Sequence, residues 1–287
     1  MRLTVILLVA GRLALASAVM GQDPGAMPGM QAQPGRLATR PPADSLRTAV
    51  QVKAYLATTA AGDTPDLSGL DLSGLDLGKV DFRKANLTRS RLVGARLDGA
   101  DLFACDLTDA VATDASFEAA NMDGTTLRRA DLRRAKLHGA SLFATIIESA
   151  DLREADLRET RIIGYLRKTN LAGARLSHAN IGADPGNQSM GVMRAQLVGA
   201  DLTGADLSGA NLFKADLSFA SLVGANLAGA DLSNADLVQA DLSRADVTGA
   251  ILKLADLNGA IFTGARGVAT LKGLAEARNR AQAVFDP

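Results

Sequence analysis

The chain has 287 residues with 31 Lys and Arg against 31 Asp and Glu, and 47% of its residues are hydrophobic while only 3% are aromatic. A neutral chain lacks the phosphate attraction that drives most sequence-independent nucleic-acid binding, which argues against a basic nucleic-acid binder. A single Cys excludes an internal disulfide and any Cys-cluster metal site, and 28 Gly with no Trp point to an interior built of small, regular units.

At the amino terminus, Met1 and Arg2 precede the apolar run LTVILLVAG, followed by RLALASAVM and a polar Gln22. This order matches an export signal over residues 1–21, with Ala16-Ser17-Ala18 and the Gly21/Gln22 junction as cleavage points. Arg12 weakens the apolar stretch. The alternatives are an uncleaved anchor from Leu3 to Met20, or translation starting at Met20, Met27 or Met30. No lipidation Cys directly follows the apolar run, which excludes a lipoprotein. The expected location is periplasmic or extracellular, and cytoplasmic if the start is downstream. Residues 22–42 are rich in Pro, Gly and Gln and read as a flexible linker. Their methionines have no neighbouring His, which argues against a copper site. In residues 43–61, Asp44 or Ser45 can cap a helix in which Leu46, Ala49, Val50, Lys53 and Leu56 recur at helical spacing. That helix is expected to plug one end of the adjoining repeat tract.

From Asp66 onward a large apolar residue falls at every fifth position, as in Leu67, Leu72, Leu77 and Phe82, with Ala112 the one weak centre before Ile162. Twenty such units run to Ile162, four more from Leu166 to Ile181 after a one-residue slip, and fifteen from Val192 to Phe262. Calling the large residue i, position i−2 is usually Ala and position i−1 usually Asp or Asn, so that residues 205 to 209 read Ala-Asp-Leu-Ser-Gly. A period of five fits neither an α-helix nor a plain strand. In a short extended piece, however, i and i−2 point to the same side. Each unit thus offers one large and one small inward group and then a turn, with Asp or Asn at i−1 and Gly at i+2 supplying the turn chemistry.

This A(D/N)LXX pattern resembles the pentapeptide-repeat family over residues 64–264. The resemblance implies an all-β solenoid, a right-handed quadrilateral β-helix of about ten coils at a spacing of ~4.8 Å. An open β-helix end exposes unpaired backbone, so short α-helical caps are expected at both ends: residues 43–61 at one, and residues 265–287 at the other, where Val268, Leu271, Leu274, Ala275, Arg278 and Val284 alternate like an amphipathic helix. Some family members dimerise through this region, and the resemblance therefore implies a homodimer through the C-terminal segment. Residues 182–191 read as a surface loop projecting from a coil.

Chemistry is scarce. His138 and His178 stand alone at solvent-facing positions, the aspartates occupy turn positions rather than paired catalytic ones, and no nucleotide-binding or hydrolase motif occurs. No catalytic residue, cofactor, metal or small-molecule substrate is expected, and an unidentified protein partner is. Cys105 falls at an i−2 position and reads as a small interior residue. Stacking at 20-residue intervals places Arg129 beside Asp109, Arg128 beside Glu148, and Arg134 between Asp114 and Glu154, which predicts charge ladders rather than a basic patch. Phe103, Phe143 and Ile163 all occupy outward i+1 positions on one face and are the candidate partner-binding stripe.

Two functions compete. One is a protein-binding or structural rod in the cell envelope. The other is a cytoplasmic DNA mimic that binds or protects DNA gyrase, as the best-known family members do. That reading needs a strongly acidic rod, yet residues 64–181 carry 17 acidic and 17 basic side chains and residues 192–264 carry 8 acidic and 4 basic.

Overall fold

Each pentapeptide folds as one short extended rung followed by a hydrogen-bonded corner. In the unit centred on Leu92 the Ala95 amide donates to the Leu92 carbonyl at 3.0 Å. The residue at i+2, Gly94, has φ 63. A positive φ at the third turn position defines a type II turn, which favours Gly. The same corner is nonetheless filled by Lys84, Asp109, Phe219 and Leu254 at φ between 58 and 64. The aspartate before each large residue fixes the turn: Asp201 Oδ1 accepts from the Thr203 amide at 3.0 Å, and Asp241 Oδ1 from the Ser243 amide at 2.8 Å. The side chains at i and i−2 then point inward, as in Leu202 and Ala205, both essentially inaccessible to solvent.

The structure, a computed structural model, describes residues 36–42, 45–60, 62–183 and 194–286. Parallel bridges join each rung to the one 20 residues later: Asp66 to Asn86, Asp71 to Arg91, Asp76 to Arg96 and Asp81 to Asp101. Four consecutive units therefore start four separate ladders, which makes the coil four-sided. The ladders beginning at Asp66, Asp71, Asp76 and Asp81 end at Arg278, Val284, Arg266 and Lys272 respectively. Residues 36–286 belong to one compact unit with a continuous core of Leu, Ala and Phe. Cys105 lies in that core, where its thiol donates to the Phe82 carbonyl and burial pushes its pKa well above the ordinary thiol value.

The one-residue slip is absorbed at a single place. Strands β1 (Ser141–Ile146) and β2 (Arg161–Tyr165) pair in parallel with a bulge between Phe143 and Thr145, so that Gly164 sits opposite Thr145. A Cβ on Gly164 would lie 2.2 Å from the Thr145 carbonyl oxygen, which is why only Gly fits there. The next coil is enlarged instead: Tyr165 pairs with Gln196, and Asn180 is the last rung described before it. Gly182 and Ala183 continue from that rung, the latter donating to the Phe213 carbonyl at 2.7 Å. Most of the expected loop and the unit centred on Val192 lie outside the described residues.

Three terminal expectations need correction. Residues 36–42 are not a free linker, because Leu37 bridges in parallel to Thr64, with the Ala38 amide on the Thr64 carbonyl and the Thr64 amide on the Arg36 carbonyl, both 2.9 Å. The helix α1 (Ala49–Thr58) is capped by Thr48 with Gln51 completing a capping box, while the Ser45 hydroxyl instead donates to the Pro42 carbonyl. Its inward side is Ala49, Val52, Tyr55 and Leu56, and Val50 is 77% exposed. Residues 265–286 form no α-helix. They are one more coil, in which each side is stretched to six residues by 3-10 turns at Val268–Thr270, Leu274–Glu276 and Arg280–Gln282. The turns start from Gly267, Gly273 and Asn279, all left-handed.

Candidate interaction surfaces

Ladders of side chains cover the outer wall. Arg129 grips Asp109 with two bonds of 2.7 Å, Arg134 grips Asp114 at 2.8 and 2.7 Å, and Arg128 reaches Glu148 at 3.3 Å. Within one coil Arg133, Arg153 and Arg158 fold back onto Asp131, Asp151 and Asp156. The bonds from Arg129, Arg134 and Arg158 hold the carboxyls of Asp109, Asp114 and Asp156 below the ordinary carboxylate range. Exposed pairs of this kind are screened by solvent and contribute little to stability. Their effect is to neutralise the wall rather than to make a basic patch.

In the second half, Asp216, Asp236 and Asp256 stand in one column on successive coils. Two arginines from irregular segments close over it. Arg194, which precedes the first rung after the enlarged coil, reaches Asp216 at 3.3 Å and Asp236 at 2.7 Å. Arg278 of the last coil reaches Asp236 at 3.3 Å and Asp256 at 3.9 Å, with its Nε on the Leu254 carbonyl. Both segments are thus stapled to the same wall, an arrangement that position counting misses because Arg278 lies outside the five-residue register and Arg194, at i+2 of the unit centred on Val192, reaches 42 residues along the sequence rather than 20.

The expected apolar stripe is not continuous. Ile163 is 1% exposed, because it belongs to β2 at the bulge and its side chain is packed away. Phe143 is half-buried beneath the Arg161 guanidinium, 4.2 Å from its ring centre. Phe103 is half-buried and lines a groove with Leu56 and Pro65 near α1, and Asp123 separates it from Phe143, accepting from the Phe143 amide at 2.9 Å. His138 Nδ1 donates to the Arg158 carbonyl at 3.1 Å and His178 is exposed at a corner. Among the described residues no group of three or more His, Cys, Asp or Glu is placed to hold a metal ion.

The C-terminal end is a more open surface. Inside the rod the amide after each rung donates to the next coil, as Val247 does to the Arg266 carbonyl at 2.9 Å. In the last coil the equivalent amides of Gly267, Gly273 and Asn279 have no hydrogen-bond acceptor among the described residues. Around them Val268, Leu271, Leu274 and Phe285 are only partly covered, Phe285 stacking on Phe262 with ring centres 4.8 Å apart, and Val284 is 51% exposed. This is a sheet edge surrounding an apolar floor, a combination that pairs readily with another chain.

The family model for pentapeptide repeats matches residues 66–103, 105–142, 193–227 and 225–264. HetL, a pentapeptide repeat protein involved in heterocyst differentiation regulation from the cyanobacterium Nostoc sp. strain PCC 7120, is 30% identical, with 81% of this chain and 96% of that chain covered and a TM-score of 0.55. A pentapeptide repeat protein from the thylakoid lumen of Arabidopsis thaliana is 26% identical over 41% of this chain and 65% of its own, with a TM-score of 0.28. QnrB1, a plasmid-mediated fluoroquinolone resistance protein, is 20% identical over 78% of this chain and 92% of its own, with a TM-score of 0.34. No curated protein matches the chain.

Proposed function

The chain belongs to the pentapeptide-repeat family, whose fold is a right-handed quadrilateral β-helix, and from that premise we propose that it is a non-enzymatic, protein-binding rod of the cell envelope. The observation that carries the binding role is the open C-terminal edge. Repeat proteins normally close such ends with a polar cap, and here the last coil leaves the amides that follow its rungs unpaired, among the described residues, around apolar side chains. A protein partner, including a second copy of the chain, docks at that end; the neutralised wall serves as scaffold. The envelope location rests on the sequence of residues 1–21, which reads as an export signal. The gyrase reading draws only on the acidic excess of residues 192–264, and Arg194 and Arg278 sit on that half's aspartate column.

A photo-crosslinking residue at Val284, compared with one at Ser233 on the wall, tests the docking site in the native host. Crosslinks from Val284 and not from Ser233 are expected; crosslinks from the wall alone would refute it. Fractionation with N-terminal sequencing tests the location. A mature start between Val19 and Gln22 outside the cytoplasm is expected, and an intact Met1 in the cytoplasmic fraction would overturn it.

A further inference from the structure

The two ends of the rod carry opposite charge at matching positions. The first rungs of the four ladders are all aspartates: Asp66, Asp71, Asp76 and Asp81. The last rungs are Arg266, Lys272, Arg278 and Val284 in chain order. If the chain path of one copy simply ran on into another, the sides would succeed one another in the order Arg266 over Asp66, Lys272 over Asp71, Arg278 over Asp76 and Val284 over Asp81. Three of the four junctions set a cation on an aspartate. Rung-to-rung contacts between a cation and an aspartate are already made within the chain in the opposite order, with the arginine on the later coil, where Arg266 meets Asp246 at 3.3 Å and Arg96 meets Asp76 at 3.5 Å.

The backbone matches as well. The amides of Asp71, Asp76 and Asp81 have no acceptor among the described residues, whereas the rungs one coil later donate upward, as Arg91 does to the Leu70 carbonyl at 2.8 Å. At the other end the carbonyls of Leu271, Ala277 and Ala283 are left over as acceptors for them, and the amides of Gly267, Gly273 and Asn279 as downward donors, among the described residues. A rod whose top and bottom edges are complementary continues itself, and a junction of this kind is heterologous, so it propagates instead of closing. An end-to-end pair joined through two C-terminal edges would instead bring the Arg266, Lys272 and Arg278 rims together.

What prevents continuation is α1. It lies against the first coil through Val52, which is fully buried, and its Tyr55 hydroxyl accepts from the Asp66 amide at 3.0 Å. Its attachment is local: ten residues, too short to be stable as an isolated helix, held by Val52 and the preceding Leu46, by the partly buried Ala49, Tyr55 and Leu56, by the tyrosine hydroxyl and by the Leu37–Thr64 bridge. We propose that the C-terminal edge of one copy docks on the first coil of a second, head to tail, and that α1 is the displaceable cover that keeps the rods single. This rests on the reading of the C-terminal end as the docking site and names its occupant.

The test uses the full chain with Val52→Asp and Tyr55→Phe, which loosens α1 and leaves the repeat wall unaltered, studied by light scattering and negative-stain microscopy. Should Val52→Asp unfold more than α1, Ala38→Pro removes the amide that holds Thr64 and frees the same segment independently. The expected products are linear particles whose lengths step by about 50 Å, the length of one rod at ~4.8 Å per coil, and which shorten as salt is raised. Adding Arg266→Glu and Lys272→Glu returns single rods, and adding Asp66→Lys and Asp71→Lys to those restores the chains. Particles that stop at two copies, form equally with α1 intact and ignore charge reversal would overturn the head-to-tail junction while leaving C-terminal docking in place. Single rods from folded, α1-loosened protein would overturn it too, and the absence of any Val284 crosslink in the native host would take the docking site with it.

Discussion

Replacing Gly164 with Ala tests the account of how the wall absorbs its lost residue. Gly164 faces Thr145 across the β1–β2 pair, and an added Cβ would stand 2.2 Å from the Thr145 carbonyl oxygen and 2.9 Å from its amide nitrogen. Both are backbone atoms and cannot rotate away. Raising the shorter contact to the 3.0 Å that real Cβ atoms tolerate requires β2 to move by at least about 0.8 Å. The bonds beside it are already at working length, with Ile147 donating to the Tyr165 carbonyl at 2.7 Å and Gln196 to the Gly164 carbonyl at 2.9 Å. Loss or distortion of two such bonds at ~1 kcal/mol each, with the residual crowding of an overpacked site, gives roughly 3 kcal/mol. In a protein of this size that lowers the melting midpoint by about 6–12 °C. The comparison is Gly173→Ala, where φ is +67 but the nearest atom, Glu154 Cγ, is 3.7 Å away, so only the left-handed conformation costs, about 1 kcal/mol. Differential scanning calorimetry on both variants decides the matter. If Gly164→Ala melts no lower than Gly173→Ala, the bulge is soft and the close-approach argument fails.

Two further outcomes concern the corners and the ladders. Phe219→Gly removes a large side chain, 57% exposed, from a corner at φ 60, and denaturant titration should show a gain of up to about 1 kcal/mol; a comparable loss would mean that the ring supports its neighbours. The depressed carboxyls of Asp109, Asp114 and Asp156 contribute stability that is complete above the unfolded value of ~3.9 and is lost as pH falls through their lower folded values, so the melting midpoint should be flat from neutral pH to about 5 and drop below about 4. Arg129→Ala with Arg134→Ala should flatten part of that drop, and an unchanged acid limb would show that the pairs contribute nothing in solution.

Much of the wall could be read from residue order because a coil repeats one local decision. Leu and Ala inside, the aspartate bond to the turn amide and the Arg129–Asp109 contact all come from counting in fives and twenties. The last coil resisted because its inward residues, Val268, Leu271, Leu274 and Ala277, fall every third position, a spacing that a helix face also produces. The distinguishing signal was the recurrence every six residues of Gly267, Gly273 and Asn279, residues that tolerate the left-handed conformation, which marks corners rather than a helix. Ile163 misled for a related reason. Position alone places it outward, but the one-residue slip at Gly164 turns that stretch into true strand and packs the side chain away. The face of α1 was similarly misphased, since Thr48 rather than Ser45 starts the helix and brings Val52 inward.

The stepwise pairing has a bearing on communication along the molecule. Nearly every bond joins a coil to its immediate neighbour, and among the described ion pairs only Arg194 with Asp236 and Arg278 with Asp236 reach 42 residues along the sequence. Energy is therefore shared locally, as in a one-dimensional array with short-range coupling. Deformation at one terminus decays within a few layers, so an event at α1 leaves the affinity at Val284 untouched. The two extremities behave as separate instruments, and each can be altered by mutation without retuning the other.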